Sequence, residues 1–316
     1  MTEFHPRDQR PSYARRMIWL GVFVVVAIAL YTGGWFFLAD RLEREARTAV
    51  SNSGAECENL RAEGFPFRMG LFCDRTGYGR DGITATAGAF RSAAQVYDPR
   101  FVVGELDGPA TLALPGLPAL DMNWELFKAS SRIATPIPTR FSAEARKLAV
   151  SGPAGPLLSA DDAQAHSRVN GANLDVAANF TALALAPEIA DGRTLPALSG
   201  SLDAVVTGAA AGFDGSLRGR SGELRSLQLG DGVDAGLTVK GPFSVDENGL
   251  LDGRFSISLQ NTGRIADYVR QAAPEASERI VSTLGSIGEV SNVPLTVSKG
   301  RASILFFQLG EIPPLR

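Results

Sequence analysis

The sequence predicts a mainly β protein, an antiparallel, curved or sandwich-like sheet with a few short helices, carried behind one N-terminal transmembrane helix. Three observations lead there. An uncharged apolar run extends from Met17 to Ala39, apolar and polar residues alternate with period two from Cys57 to about residue 260, and Gly, Pro, Asn and Asp stand at the breaks of that alternation. The division that follows is a cytoplasmic tail over 1–16, a transmembrane helix over 17–39, a helical stalk over 40–54 and an exported β-rich domain over 55–316.

The anchor comes first in the chain. At about 1.5 Å per residue the run from Met17 to Ala39 reaches roughly 34 Å, enough for a bilayer core. Trp19 and Trp35 stand near its two ends, where amphipathic rings meet headgroups. Arg7, Arg10, Arg15 and Arg16 precede the span against Glu3 and Asp8, whereas Arg41, Arg44 and Arg47 after it are matched by Asp40, Glu43 and Glu45. The positive-inside rule then keeps the N-terminus in the cytoplasm and exports the bulk of the chain. Ala27-Ile28-Ala29 has the form of a signal-peptide cleavage site. Cleavage there would leave LYTGGWFFL at the mature N-terminus, so retention as a single-pass anchor is the reading adopted.

Beyond the span, Leu42, Ala46 and Ala49 keep helical spacing, and Asp40 with Arg44 and Glu43 with Arg47 stand at i,i+4, so the helix continues as the stalk until Ser53-Gly54. Cys57 and Cys73, the two cysteines of the chain, follow in a compartment that permits disulfides. Gly64-Phe65-Pro66 reads as a turn and Phe67, Met69, Leu71 and Cys73 alternate, so a hairpin centred on Phe65 brings Cys57 opposite Cys73 in a structural bridge. Such a loop closure stabilises by about 3 kcal/mol.

The clearest hairpin is mid-chain. Ala163, Ala165, Ser167 and Val169 alternate, Asn170-Gly171 supplies a type I′ turn, and Leu174, Val176, Ala178 and Phe180 alternate back. A second runs from Leu237 to Val245, turns at Asp246-Glu247-Asn248-Gly249 and returns through Phe255, Ile257 and Leu259. Ile265, Ala266, Val269 and Ala272 then predict a short helix before Pro274, and Ile280, Val281 and Leu284 another after it. The chain closes with a strand over Val293 to Val297, a Lys299-Gly300 turn, a strand over Ala302 to Leu309, and Ile312-Pro313-Pro314-Leu315.

Composition excludes several function classes. A net charge of -3 without a basic cluster argues against nucleic-acid binding. His5 and His166 are the two histidines, so zinc and Ser-His-Asp chemistry have few residues to work with. Gly77-Tyr78-Gly79-Arg80-Asp81-Gly82 matches a dinucleotide fingerprint in letters, but the strand-like Ile83 to Ala87 follows where a helix is required, which makes it a glycine-rich hairpin loop. Asp246-Glu247-Asn248-Gly249 with Asp252 lacks the ligand order of a calcium loop and reads as a turn. His166 shares a strand face with Gln164 and Arg168 and points to solvent, and Asp161 and Asp162 point apart. No catalytic residue, cofactor or metal site is assigned, and the chain is read as non-enzymatic.

Residues Cys57-Glu58-Asn59, Gly64-Phe65-Pro66-Phe67-Arg68, Leu71-Phe72-Cys73-Asp74 and Arg91-Ser92-Ala93-Ala94-Gln95-Val96-Tyr97-Asp98-Pro99-Arg100 resemble the DUF2125 family of uncharacterised bacterial envelope proteins. The likeness extends through Gly241-Pro242-Phe243-Ser244-Val245 to Leu309-Gly310-Glu311-Ile312-Pro313-Pro314-Leu315. More loosely, an anchor followed by alternating strands and a Pro-Pro ending is similar to AsmA-type envelope proteins. That resemblance implies a long curved sheet with an apolar concave face and a role in lipid handling. The expected function is therefore binding or guiding of membrane lipid or another apolar envelope component; the alternative is a module that docks an envelope protein partner.

Overall fold

The computed structural model describes residues 12–190, 192–272, 289–304 and 307–315. Helix α1 (Ser12–Ser53) is unbroken, so the apolar run and the charged segment after it are one helix. It is long and apolar enough to cross a membrane. Its second half is laced by exposed i,i+4 pairs, Arg44 with Asp40, Arg47 to Glu43 at 2.7 Å and Arg41 to Glu45 at 2.9 Å, each adding a few tenths of a kcal/mol, about 0.3–0.5.

Every described strand belongs to one antiparallel sheet, and each row of it pairs with the rows before and after it in sequence. The first rows are long strands that each break once: β1 (Ala55–Glu58) with β2 (Arg61–Glu63), β3 (Arg68–Cys73) with β4 (Arg75–Arg80), and β5 (Ile83–Ala87) with β6 (Phe90–Gln95). Next come β7 (Asp98–Leu106) with β8 (Ala110–Ala113), and β9 (Leu120–Asn123) with β10 (Leu126–Arg132). Thus β2 pairs β3 while β1 pairs β4, and the same register carries both.

The breaks fall side by side and form a crease across the sheet. Backbone bonds hold it closed: Asp74 N–H to Glu58 O at 2.9 Å, Asp107 N–H to Ala89 O at 2.8 Å, and Glu125 N–H to Arg146 O at 2.9 Å. The Trp124 indole N–H donates to Leu106 O at 2.7 Å inside it. Asn59 and Lys147 sit in the crease with φ of 52° and 51°. Single left-handed residues of this kind bend a strand and sharpen its twist.

The remaining rows are β11 (Arg140–Gly152), β12 (Gly155–Asn170), β13 (Asn173–Leu185), β14 (Leu198–Val206), β15 (Ser221–Gly230), β16 (Gly236–Val245) and β17 (Leu251–Gln260). After helix α2 (Thr262–Ala272) follow β18 (Val290–Ser298), β19 (Arg301–Ile304) and β20 (Phe307–Glu311). The sheet is open, not a closed barrel. Its first edge is covered by α1: Ala62 N–H meets Glu43 Oε2 at 3.4 Å, and Arg47 reaches Leu60 O at 2.6 Å. Covering an edge in this way removes a template for unwanted strand pairing.

Several expectations are refined. The hairpins β12–β13 and β16–β17 have the expected strands, but the first turns on Gly171-Ala172 instead of a type I′ Asn170-Gly171: Asn170 pairs with Asn173, and Gly171 takes the positive φ of 62°. The first hairpin is centred between Pro66 and Phe67 instead of on Phe65, because Arg68 N–H closes back on Gly64 O at 2.9 Å. Cys57 therefore faces Thr76, and the disulfide to Cys73 runs diagonally across the crease with a Cα–Cα distance of 5.3 Å. Phe67 is a loop residue, 70% exposed, and lies outside the strand face of Met69 and Leu71. Gly77 and Gly79 lie inside β4, and Asp81-Gly82 alone makes the turn. The segment Ala302 to Leu309 is two strands, β19 folding back onto β20 with Ala302 opposite Gly310. The helix before Pro274 is α2; the one expected over Ile280 to Leu284 lies outside the described residues.

Candidate functional site: the apolar face of the sheet

Strict alternation in the later strands sorts side chains by chemistry. Register places Ala178, Leu202, Leu227, Val239, Ile257 and Val293 directly across from one another, an unbroken apolar row from β13 to β18. One position along, Asn179, Ser201, Gln228, Thr238 and Ser258 form an equally unbroken polar row from β13 to β17. Side chains one residue apart on a strand point to opposite faces. One face of this half of the sheet is therefore apolar along this row, and the other is mainly polar, with Ala177 and Val205 among its side chains.

The apolar face is also low. The Phe180 ring lies where a Cβ on Gly200 would stand, 2.7 Å away, and the Phe243 ring covers Gly222 in the same way. Aromatic rings that lie flat over glycines of the next strand smooth the surface instead of projecting from it. Two packed clusters sit on the face. Leu174, Val206 and Ala209 are covered by Ile137, Phe213 and Leu217 from neighbouring loops, and Phe255, Val297 and Ala302 pack with Leu224, Phe243 and Leu295. Both clusters draw on adjacent rows and loops. Among the described residues neither joins the face to a second layer.

Of the two described helices, α2 is packed down, with Thr262 and Ala266 each 1% exposed. α1 packs on β1 and β2. α2 is tied to the loop after β15, where Arg264 meets Asp231 and Asp234 at 2.9 Å each and the Tyr268 hydroxyl donates to Asp231 at 2.8 Å. The Asp231 carboxyl is held well below the usual carboxylate range, first by the Val233 amide, then by the Tyr268 hydroxyl and the amides of Ala235 and Asp234, against the opposing effect of burial. Beside this loop the sheet is hollowed into a pocket of about 360 Å³, whose wall mixes Phe180, Leu229 and Leu237 with Asn179, Ser201, Gln228 and Thr238 of the polar row. Leu227 and Leu229 remain 38% and 39% exposed.

The polar face holds an ion network that single-strand reading does not bring together. Asp175 on β13, 9% exposed, accepts from Arg168 at 2.9 Å, Asn170 at 3.1 Å and Arg225 at 3.2 Å, and Arg225 also reaches Asp203 at 3.3 Å. Arg168 chiefly, then Asn170 and Arg225, hold the Asp175 carboxyl below its usual range. Arg225, 50 residues from Asp175, is recognisable as its partner only once register is known.

The residues weighed from sequence are placed as follows. His166 is exposed, its Nε2 3.4 Å from Gln164 Oε1. Asp161 pairs with Lys147 at 2.8 Å, and Asp162 accepts from Gln164 at 2.9 Å. Asp246 is occupied by the amides of Asn248 and Leu250 at 2.9 and 2.8 Å, and Asp252 by that of Lys299 at 3.0 Å. Among the described residues no three His, Cys, Asp or Glu side chains converge.

A family model described as an uncharacterised protein conserved in bacteria, DUF2125, matches residues 35–313. No curated protein and no solved structure matches.

Proposed function

Because the chain belongs to DUF2125, a family whose description assigns no activity, we propose its function from its surfaces: a non-enzymatic, single-pass inner-membrane protein whose periplasmic sheet binds or guides lipid. The observation that carries this reading is the apolar row from Ala178 to Val293, in which Leu227 stays 38% exposed. Contiguous apolar surface of this kind on a soluble domain marks an interaction site. An acyl chain laid across it loses water at about 0.8 kcal/mol per methylene, with no covalent chemistry required. The rings over Gly200 and Gly222 add to the apolar surface such a chain would meet.

Orientation follows from the arginines before Met17, which keep the N-terminus in the cytoplasm. Retention of α1 is part of the reading, since an attached sheet stays within reach of the bilayer that supplies its ligand. Purification of the full chain from its own membranes, followed by solvent extraction and mass spectrometry, tests the proposal. Lipid bound beyond the detergent background is expected, and a clean apo protein contradicts it.

A second reading rests on β20, the last strand of the sheet, which has no further strand beside it among the described residues. An open edge accepts a strand from a partner protein. Discrete protein adducts from crosslinks placed at β20 would favour it over the lipid reading.

A further inference from the structure

The end of the sheet nearest α1 carries features that a water-facing rim does not need. α1 and the first hairpin tip are joined at a defined level: the Tyr31 hydroxyl donates to Pro66 O, and the Trp35 indole N–H donates to Arg68 O at 3.0 Å. Phe65 stacks on Phe36 with centroids 5.7 Å apart and meets Trp35 edge-on at 5.4 Å. Trp35 is only 5% exposed as a result. A hydrocarbon core about 30 Å thick takes about 20 helical residues, so a span entered at Met17 is left near Phe36. The hairpin tip is fixed to the helix at that depth.

The up-and-down chain brings the next loops to the same end. Val96 N–H bonds to Phe67 O at 3.1 Å, Ile133 N–H to Arg100 O at 2.8 Å, and Val169 N–H to Thr139 O at 3.0 Å. The tips of these loops are apolar and exposed: Phe67 at 70%, Tyr97 at 77% and Ile133 at 56%. Just behind them stands a line of arginines. Register sets Arg132, Arg140 and Arg168 directly across from one another on β10, β11 and β12. Like charges placed so are mutually destabilising unless something neutralises them. Asp98 pairs with Arg132 at 2.8 Å and Asp175 with Arg168 at 2.9 Å. Arg68, Arg100 and Arg140 are exposed, and among the described residues no carboxylate pairs with them.

We propose that this rim lies on the bilayer: Phe67, Tyr97 and Ile133 enter the headgroup boundary, and Arg68, Arg100 and Arg140 bind lipid phosphates behind them. The occupant is the membrane that α1 crosses, because the helix reaches the rim while still within its uncharged run. The inference rests on the reading of α1 as a span. It adds that the sheet stands directly on the surface, with no gap between anchor and domain.

The test uses the full chain in vesicles of phosphatidylethanolamine and phosphatidylglycerol, with nitroxide labels on single added cysteines. Labels at F67C, Y97C and I133C probe the rim, L117C and V233C the opposite end, and L30C the helix. Accessibility to oxygen against a water-soluble nickel chelate reads depth. The rim labels are expected to show an oxygen-to-nickel ratio several-fold above that of the opposite end. Replacing phosphatidylglycerol by phosphatidylcholine, or introducing Arg140→Gln with Arg100→Gln, lowers the ratio. Rim labels as open to nickel as those at positions 117 and 233, with the position 30 label in lipid, would overturn the rim alone. A position 30 label open to nickel would overturn the span and the rim together.

Discussion

Gly222 shows how much of the apolar face depends on single residues. A Cβ built there would stand 2.0 Å from Val205 O and 2.7 Å from the Phe243 ring. Gly222→Val is therefore expected to destabilise by about 1–3 kcal/mol, since overpacking forces neighbours off their rotamers. A lower urea midpoint at unchanged slope is the measurement. Asp175 gives a pH signature on the other face. Its folded pKa is depressed by Arg168, Asn170 and Arg225, so its contribution is present above the unfolded value of about 3.9 and is lost as pH falls through the lower folded value. Asp175→Asn should cost about 1–2 kcal/mol at neutral pH, given partners that are half exposed, and the difference from the unsubstituted chain should vanish in strong acid. Paired urea titrations at pH 7 and below pH 3 would check it.

At the scale of elements, the disulfide joins strand segments on the two sides of the crease, β1 and β3. Replacing both cysteines by serine is expected to remove about 3 kcal/mol, with protection of β1 and β2 amides lost first in hydrogen exchange. Uniform loss over the whole sheet would contradict a local role. The pairing was legible because the chain has one pair of cysteines; the register was not. Nothing in the letters Gly64-Phe65-Pro66-Phe67 tells where a four-residue loop is centred, and the small difference moved Cys57 from Cys73 to Thr76. The crease was equally invisible, because its breaks run from Asp74 alone to Asp107-Gly108-Pro109 and become one line only when register sets them side by side.

For the whole molecule, the alternation that predicted a β protein also predicted its two faces, since register merely aligns patterns already present in each strand. Ala178, Phe180, Val239, Ile257 and Leu259 were readable as inward positions one strand at a time. Whether that face met a filled core or lay open was not readable, because both arrangements bury one side of every strand. The arginine line at the rim was hidden for a related reason: Arg132, Arg140 and Arg168 lie on three strands and become neighbours only through pairing. In the proposed reading, anchor, rim and apolar face belong to one sheet mounted on a membrane helix.

The central claim is that the apolar face, and not the polar one, receives lipid. Photo-crosslinking in intact cells from a benzophenone amino acid at Leu229 or Leu237, compared with Gln228 or Thr238 on the opposite face, tests it most directly. The account predicts lipid adducts from positions 229 and 237 and none above background from 228 and 238. Equal labelling from both faces, or protein adducts alone from positions 229 and 237, would contradict it.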